Sequence, residues 1–193
     1  MKHMKYILVI VSLLLLVGGF WVLQDDDYQE EQVPLVSDYK NIEYIIDGVP
    51  IMLKDGLAET EAAGGSSFKT ITRYFGNELK TDLNGDGRED IVFLVTQETG
   101  GSGTFYYALA ALNSESGYKG SDGYFLGDRI APQTTNLSPN PQHKYVVVVN
   151  YADRLPEEPM TTSPSHGRSA YLKLDPMSMM WGIVEPDFEG ESR

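Results

Sequence analysis

Beyond residue 23 this chain never sustains a helical period. What it has instead are short β-branched and aromatic runs, each closed by a turn signal. Ile42, Tyr44 and Ile46 alternate with polar positions, and Asp47-Gly48 separates them from Val49, Ile51 and Leu53. Alternation on both sides of Asp-Gly predicts a hairpin, because both central residues of that turn take positive φ. Asp55-Gly56 predicts a second turn. Leu57 to Ala63 fits either a short helix or a strand, and Gly64-Gly65-Ser66-Ser67 reads as a loop. Thr70 to Leu79, Ile91 to Thr96, Thr104 to Leu112, Tyr124 to Leu126 and Tyr145 to Tyr151 read as strands, with a last pair at Ala170 to Leu174 and Met179 to Val184. Ile91 to Thr96 and the four valines after Tyr145 are apolar without alternation, as strands buried on both faces are. About eight or nine such strands predict an all-β fold, an antiparallel sandwich or small barrel.

One stretch carries readable chemistry. Asp82-Leu83-Asn84-Gly85-Asp86-Gly87-Arg88-Glu89-Asp90 places side-chain oxygens at every second position, Asp82, Asn84 and Asp86. Asp90 adds a fourth, and the Arg88 carbonyl supplies a backbone oxygen. Calcium takes about 6–8 such oxygens in tolerant geometry, and Gly85 and Gly87 permit the tight curl. The loop is not an EF-hand. The twelfth position, where that pattern needs Glu, is Phe93, and a strand follows rather than a helix. The spacing resembles the short calcium loops between strands of integrin-type repeats. That resemblance implies a binding mode and no fold, since a propeller would repeat the loop and this chain does not.

The N-terminus sets the expected location. Lys2 and Lys5 precede an uncharged run from Tyr6 to Leu23, and Asp25, Asp26 and Asp27 follow it. As a helix the run would be about 27 Å long, close to the roughly 30 Å of a bilayer core. The charges orient residues 1–23 as a single-pass anchor, with a cytoplasmic N-terminus and an extracytoplasmic domain. A cleaved signal peptide would have a shorter apolar run and an Ala-x-Ala site, which Gly-Gly-Phe-Trp-Val-Leu-Gln does not offer. Residues 24–37 hold five acids, no base and Pro34, and read as a solvated acidic linker. The β domain spans 38–185, and 186–193 is an acidic tail.

Composition removes several functions. A net charge of −13 repels phosphate backbones, so nucleic acid is not an expected partner. With no cysteine there is no disulfide, thiolate site, thiol nucleophile or lipid-anchor cysteine. Gly100-Gly101-Ser102-Gly103-Thr104 lacks the last glycine of a nucleophile elbow and leads into a strand, so it reads as a hairpin turn. The three histidines, His3, His143 and His166, are scattered and give a serine no obvious base.

Asp128-Arg129 and Asp153-Arg154 each follow a strand end. Arg129 and Arg154 are therefore candidates to grip a carboxylate or glycan at one sheet rim, unless local ion pairs hold them. Tyr106, Tyr107, Tyr124 and Tyr151 are candidate stacking surfaces. Arg73-Tyr74-Phe75-Gly76-Asn77-Glu78, the Asp82 loop, Gly100 to Tyr107, Gly127 to Thr134 and Tyr151-Ala152-Asp153-Arg154 stand in this order. Together they resemble a group of uncharacterised bacterial exported proteins, many of them membrane- or lipid-anchored. The resemblance implies location and domain extent and carries no activity. The expected function is non-enzymatic: a calcium-binding module toward an envelope polymer or protein. The alternative is a glycan-acting hydrolase, which needs two carboxylates about 5–10 Å apart. Glu78 and Asp128 are candidates for that pair.

Overall fold

The computed structural model describes residues 38–61 and 69–186. The expected anchor at 1–23, the linker at 24–37, Ala62 and Ala63, and the tail beyond 186 lie outside the described residues. Among those described, no helix is long and apolar enough to cross a membrane.

The domain is all-β. A 3₁₀ turn at Tyr39–Asn41 leads into β1 (Glu43–Ile46), β2 (Val49–Met52) and β3 (Leu57–Glu61). Next come β4 (Lys69–Thr81), β5 (Asp90–Glu98), β6 (Phe105–Ser114), β7 (Gly117–Gly120) and β8 (Tyr124–Asp128). The chain finishes with β9 (Ala131–Leu137), β10 (Val146–Asp153), β11 (His166–Leu174) and β12 (Trp181–Ile183). Leu57 to Glu61 settles as a strand, not a helix. The strands exceed the expected number because β7 and β9 carry little apolar signal. Both lie at sheet edges, where one or both faces meet solvent.

Three antiparallel sheets result. The central one runs β3-β4-β5-β6-β7, and β8 shares the far edge of β6 with β7. A second runs β12-β11-β10-β9, and β1-β2 forms a hairpin. Asp47 (φ 52) and Gly48 (φ 76) make the hairpin turn, as the Asp-Gly signal predicts. Asp55 (φ 51) and Gly56 (φ 78) repeat that geometry before β3.

The layers follow from side-chain alternation on β5 and β6. Val92, Leu94, Ala108, Ala110 and Leu112 face one way and pack against Val147, Val149, Leu172 and Leu174 of the four-stranded sheet. Ile91, Phe93, Val95, Tyr107, Leu109 and Ala111 face the other way, onto Ile42, Tyr44, Ile46, Ile51 and Leu53 of the hairpin region. Where a sandwich or small barrel is expected, β5 and β6 thus carry a four-stranded sheet on one face and the two-stranded hairpin on the other. Burying a large apolar side chain is worth about 1.5–3 kcal/mol, which explains why β5 and β6 lose the polar alternation of one-sided strands. Phe93 is the centre of the second core, with the rings of Tyr39, Tyr44 and Tyr74 at 5.3, 5.5 and 5.7 Å. Backbone bonds from Ile45 N–H to the Ser121 carbonyl (3.2 Å) and from Gly123 N–H to the Ile45 carbonyl (2.6 Å) stitch the hairpin to the central sheet.

Candidate functional site

The Asp82 loop connects β4 to β5. Leu83 is buried in the core beneath it and fixes its entry. The alternate-position oxygens have a local reason. Asn84 N–H donates to Asp82 Oδ1 (3.1 Å), Asp86 N–H to Asn84 Oδ1 (2.9 Å) and Arg88 N–H to Asp86 Oδ1 (2.8 Å). Each side chain thus turns back on the amide two residues ahead, and three such turns in succession curl the chain. Gly85 (φ 86) and Gly87 (φ 83) supply the left-handed steps between them. A Cβ on Gly85 would fall 2.4 Å from the Tyr145 hydroxyl, so that position also demands glycine.

The loop's electrostatics are divided. Amides of Gly85 and Gly87, at 2.6 and 2.9 Å, hold the Asp82 carboxyl below its ordinary range. Asp86 is lowered in the same way, first by the Arg88 amide. Arg88 also reaches Asp86 Oδ2 (3.2 Å) and Glu115 (3.0 Å) with its guanidinium. Asp90 is different. It is fully buried and accepts from Leu83 N–H and Asn113 N–H, each at 2.8 Å. Burial nevertheless pushes its carboxyl up, and the charges of Asp86 and Asp82 push it further. No cationic side chain pairs with Asp90 among the described residues.

The five expected ligand residues, Asp82, Asn84, Asp86, Arg88 and Asp90, thus lie on one short loop. Among the described residues no three Asp, Glu, His or Cys side chains form a ready-made metal cage. Hard cations also take amide and backbone oxygens, and Asn84 and the Arg88 carbonyl are of that kind. Asp82 Oδ1 and Asp86 Oδ2 each accept two hydrogens, whereas Asp82 Oδ2, Asp86 Oδ1 and both Asp90 oxygens accept one, which leaves each of these four an acceptor direction for a cation.

Arg129 and Arg154 do meet. Arg154 Nη1 donates to the Arg129 carbonyl (2.9 Å) and Nε to the Thr162 carbonyl (2.5 Å). Arg129 forks onto Asp128 through Nε (3.1 Å) and Nη2 (2.8 Å), and Asp128 also accepts from Thr104 N–H (2.9 Å). Those partners hold Asp128 below the usual carboxylate range, the Arg129 bond foremost. Both arginines are thus engaged locally.

Glu78 has a separate set of partners. Tyr39 and Tyr74 both donate to its Oε1, the latter at 2.5 Å, and Lys40 Nζ lies 3.8 Å away. Burial acts to raise Glu78, but those bonds outweigh it and hold the carboxyl down. His143 pairs with Ser138 Oγ (2.9 Å) inside its own turn, not with Ser102.

One feature escapes the sequence. A cleft of about 440 Å³ is lined by Asp47, Gln97, Thr99, Phe105, Tyr107 and Phe125. Of the four candidate stacking tyrosines only Tyr107 reaches it. Tyr106, Tyr124 and Tyr151 pack instead against the core between the two large sheets. The usable signal was the strand period: Phe105 and Tyr107 share a face that Tyr106 does not.

No family model, curated protein or solved structure matches this chain.

Proposed function

We propose that the chain is a membrane-anchored, extracytoplasmic β domain whose Asp82 loop takes a structural calcium ion, and that its role in the cell envelope is one of binding or support rather than catalysis. Asp90 carries this reading. It is a carboxylate buried at the base of a loop of acceptors, raised by burial and by two neighbouring carboxylates, and a bound cation would offset all three effects. The Tyr6 to Leu23 run with its flanking charges supports the anchor, as does the resemblance to exported proteins. The cleft brings Asp47 beside three aromatic rings, an arrangement suited to binding.

Calorimetric titration of calcium into the full chain in detergent tests the reading. Saturable binding at or below about 1 mM is expected, in the range of extracellular modules. Asp86→Ala should abolish it and Asp86→Asn should weaken it less, since an amide oxygen still ligates. Magnesium should substitute poorly, because it demands a tighter octahedron. No heat at millimolar calcium would reduce the loop to a turn.

A further inference from the structure

We propose that the cleft beside the β1-β2 turn binds a small organic ammonium compound. Its floor is a cluster of three rings on β6 and β8. Phe125 lies 5.4 Å from Tyr107 and 6.3 Å from Phe105, centroid to centroid. Phe125 is 49% exposed and so presents its ring to the cleft. Asp47 stands on the wall, at the tip of the hairpin. Tyr107 donates its hydroxyl hydrogen to Asp47 Oδ2 at 2.7 Å and so fixes the carboxylate beside the rings. Gln97, only 7% exposed, gives an amide hydrogen to Thr72 Oγ1 (3.3 Å), which leaves its carbonyl oxygen as an acceptor.

The lining is therefore one-sided in charge. Among the described residues it is lined by one carboxylate, the Gln97 amide, the Thr99 hydroxyl and three rings, and by no lysine, arginine or histidine. The Tyr107 hydroxyl is directed at Asp47, and one of the two Gln97 amide hydrogens at Thr72. A neutral ligand would use the second Gln97 amide hydrogen and the Thr99 hydroxyl, whereas only a cation draws on the Asp47 charge and the ring faces together. Cations are attracted to the negative faces of aromatic rings, and a nearby carboxylate adds to that attraction. The domain's negative charge raises the local concentration of cations at such a cleft. A volume of about 440 Å³ lies within the ordinary range for small-molecule sites. The cleft shares no residue with the Asp82 loop, so this inference and the calcium reading stand or fall separately.

The test titrates the full chain in detergent with tert-butylammonium chloride, tetramethylammonium chloride and the neutral isostere tert-butanol, at constant ionic strength. The ring signals of Phe125 and Tyr107 are followed by NMR. Both ammonium ions should shift them saturably, and tert-butanol should not. Asp47→Asn should weaken the ammonium response by about tenfold or more. That variant keeps the fold, because asparagine tolerates the left-handed turn and its amide oxygen still accepts from Tyr107. Phe125→Leu should weaken it as well, through loss of the ring face. Equal shifts from tert-butanol, or an Asp47→Asn variant that responds like the parent, would overturn the assignment.

Discussion

Replacing Asp90 by asparagine separates the calcium reading from a purely structural one, because two effects oppose each other in the absence of the ion. The carboxylate accepts two amide hydrogens, from Leu83 and Asn113, both at 2.8 Å. Asparagine offers one acceptor and one donor, so one buried N–H loses its partner, at a cost of about 1–3 kcal/mol. Against this, the substitution removes a charge that burial, Asp86 and Asp82 all disfavour. With chelator present, the variant should therefore lie within about 1 kcal/mol of the parent, a shift of roughly 2–4 °C in Tm for a domain of this size. With calcium the balance changes. For a site with Kd near 10 µM in 1 mM calcium, mass action stabilises the parent by roughly 2.7 kcal/mol. The variant should lose most of that. The assay is thermal unfolding of the full chain by circular dichroism in calcium and in chelator. The sign with pH follows from the raised Asp90 carboxyl. Its contribution is present below the unfolded value and lost as pH rises through the folded one. The calcium-free parent should thus lose stability across that window, and Asp90→Asn should not. An undiminished calcium increment in the variant would refute the ligand role. A loss of several kcal/mol in chelator would show that the two amide bonds outweigh the penalty on the buried charge.

Two further outcomes test the layers and the tyrosine cluster. A Cβ on Gly120 would fall 2.1 Å from the Glu43 carbonyl oxygen and 2.8 Å from the Tyr44 ring. Gly120→Ala should therefore cost about 1–3 kcal/mol by denaturant unfolding. Gly101→Ala, with open space around it, should cost little. Tyr74 is pushed up to about 12, first by burial and then by its bond to Glu78. Its contribution to stability is held below the ordinary value near 10 and lost as pH rises through about 12. Absorbance titration should show a late tyrosinate step, and Glu78→Gln should move it earlier. An unmoved step would remove Glu78 as a cause.

How far the sequence reveals this arrangement depends on what each residue meets. The runs in β5 and β10 are legible because every position on them is apolar. The turns at Asp47-Gly48 and Asp55-Gly56 are legible because left-handed backbone selects those residue types. β7 begins and ends in glycine, and β9 contains Pro132 and buries little beyond Thr135, so neither edge strand stands out. Alternation along β5 tells which residues share a face. It does not tell that Phe93 meets the hairpin while Leu94 meets the four-stranded sheet. The Asp82 loop is readable because its bonds are local. The cleft is not, because the partner that turns Asp47 from a turn residue into a wall is Tyr107, 60 positions away.

The order of strands has a consequence for how the domain assembles. In both large sheets, neighbours in space are mostly neighbours in the chain: β3 through β7 form one meander and β9 through β12 another, and only β8 skips a strand to pair with β6. Each pairing closes a short loop, and the entropic cost of closure grows only with the logarithm of loop length. Such local topologies fold faster than those built on distant pairings. The β1-β2 hairpin is the exception. It leads the described chain, yet its apolar face is covered mainly by residues of β5 and β6, with Ala58, Tyr74 and Tyr118 beside them. The layer that begins the domain must therefore wait, with Tyr44, Ile46 and Ile51 uncovered, until the middle of the chain has paired.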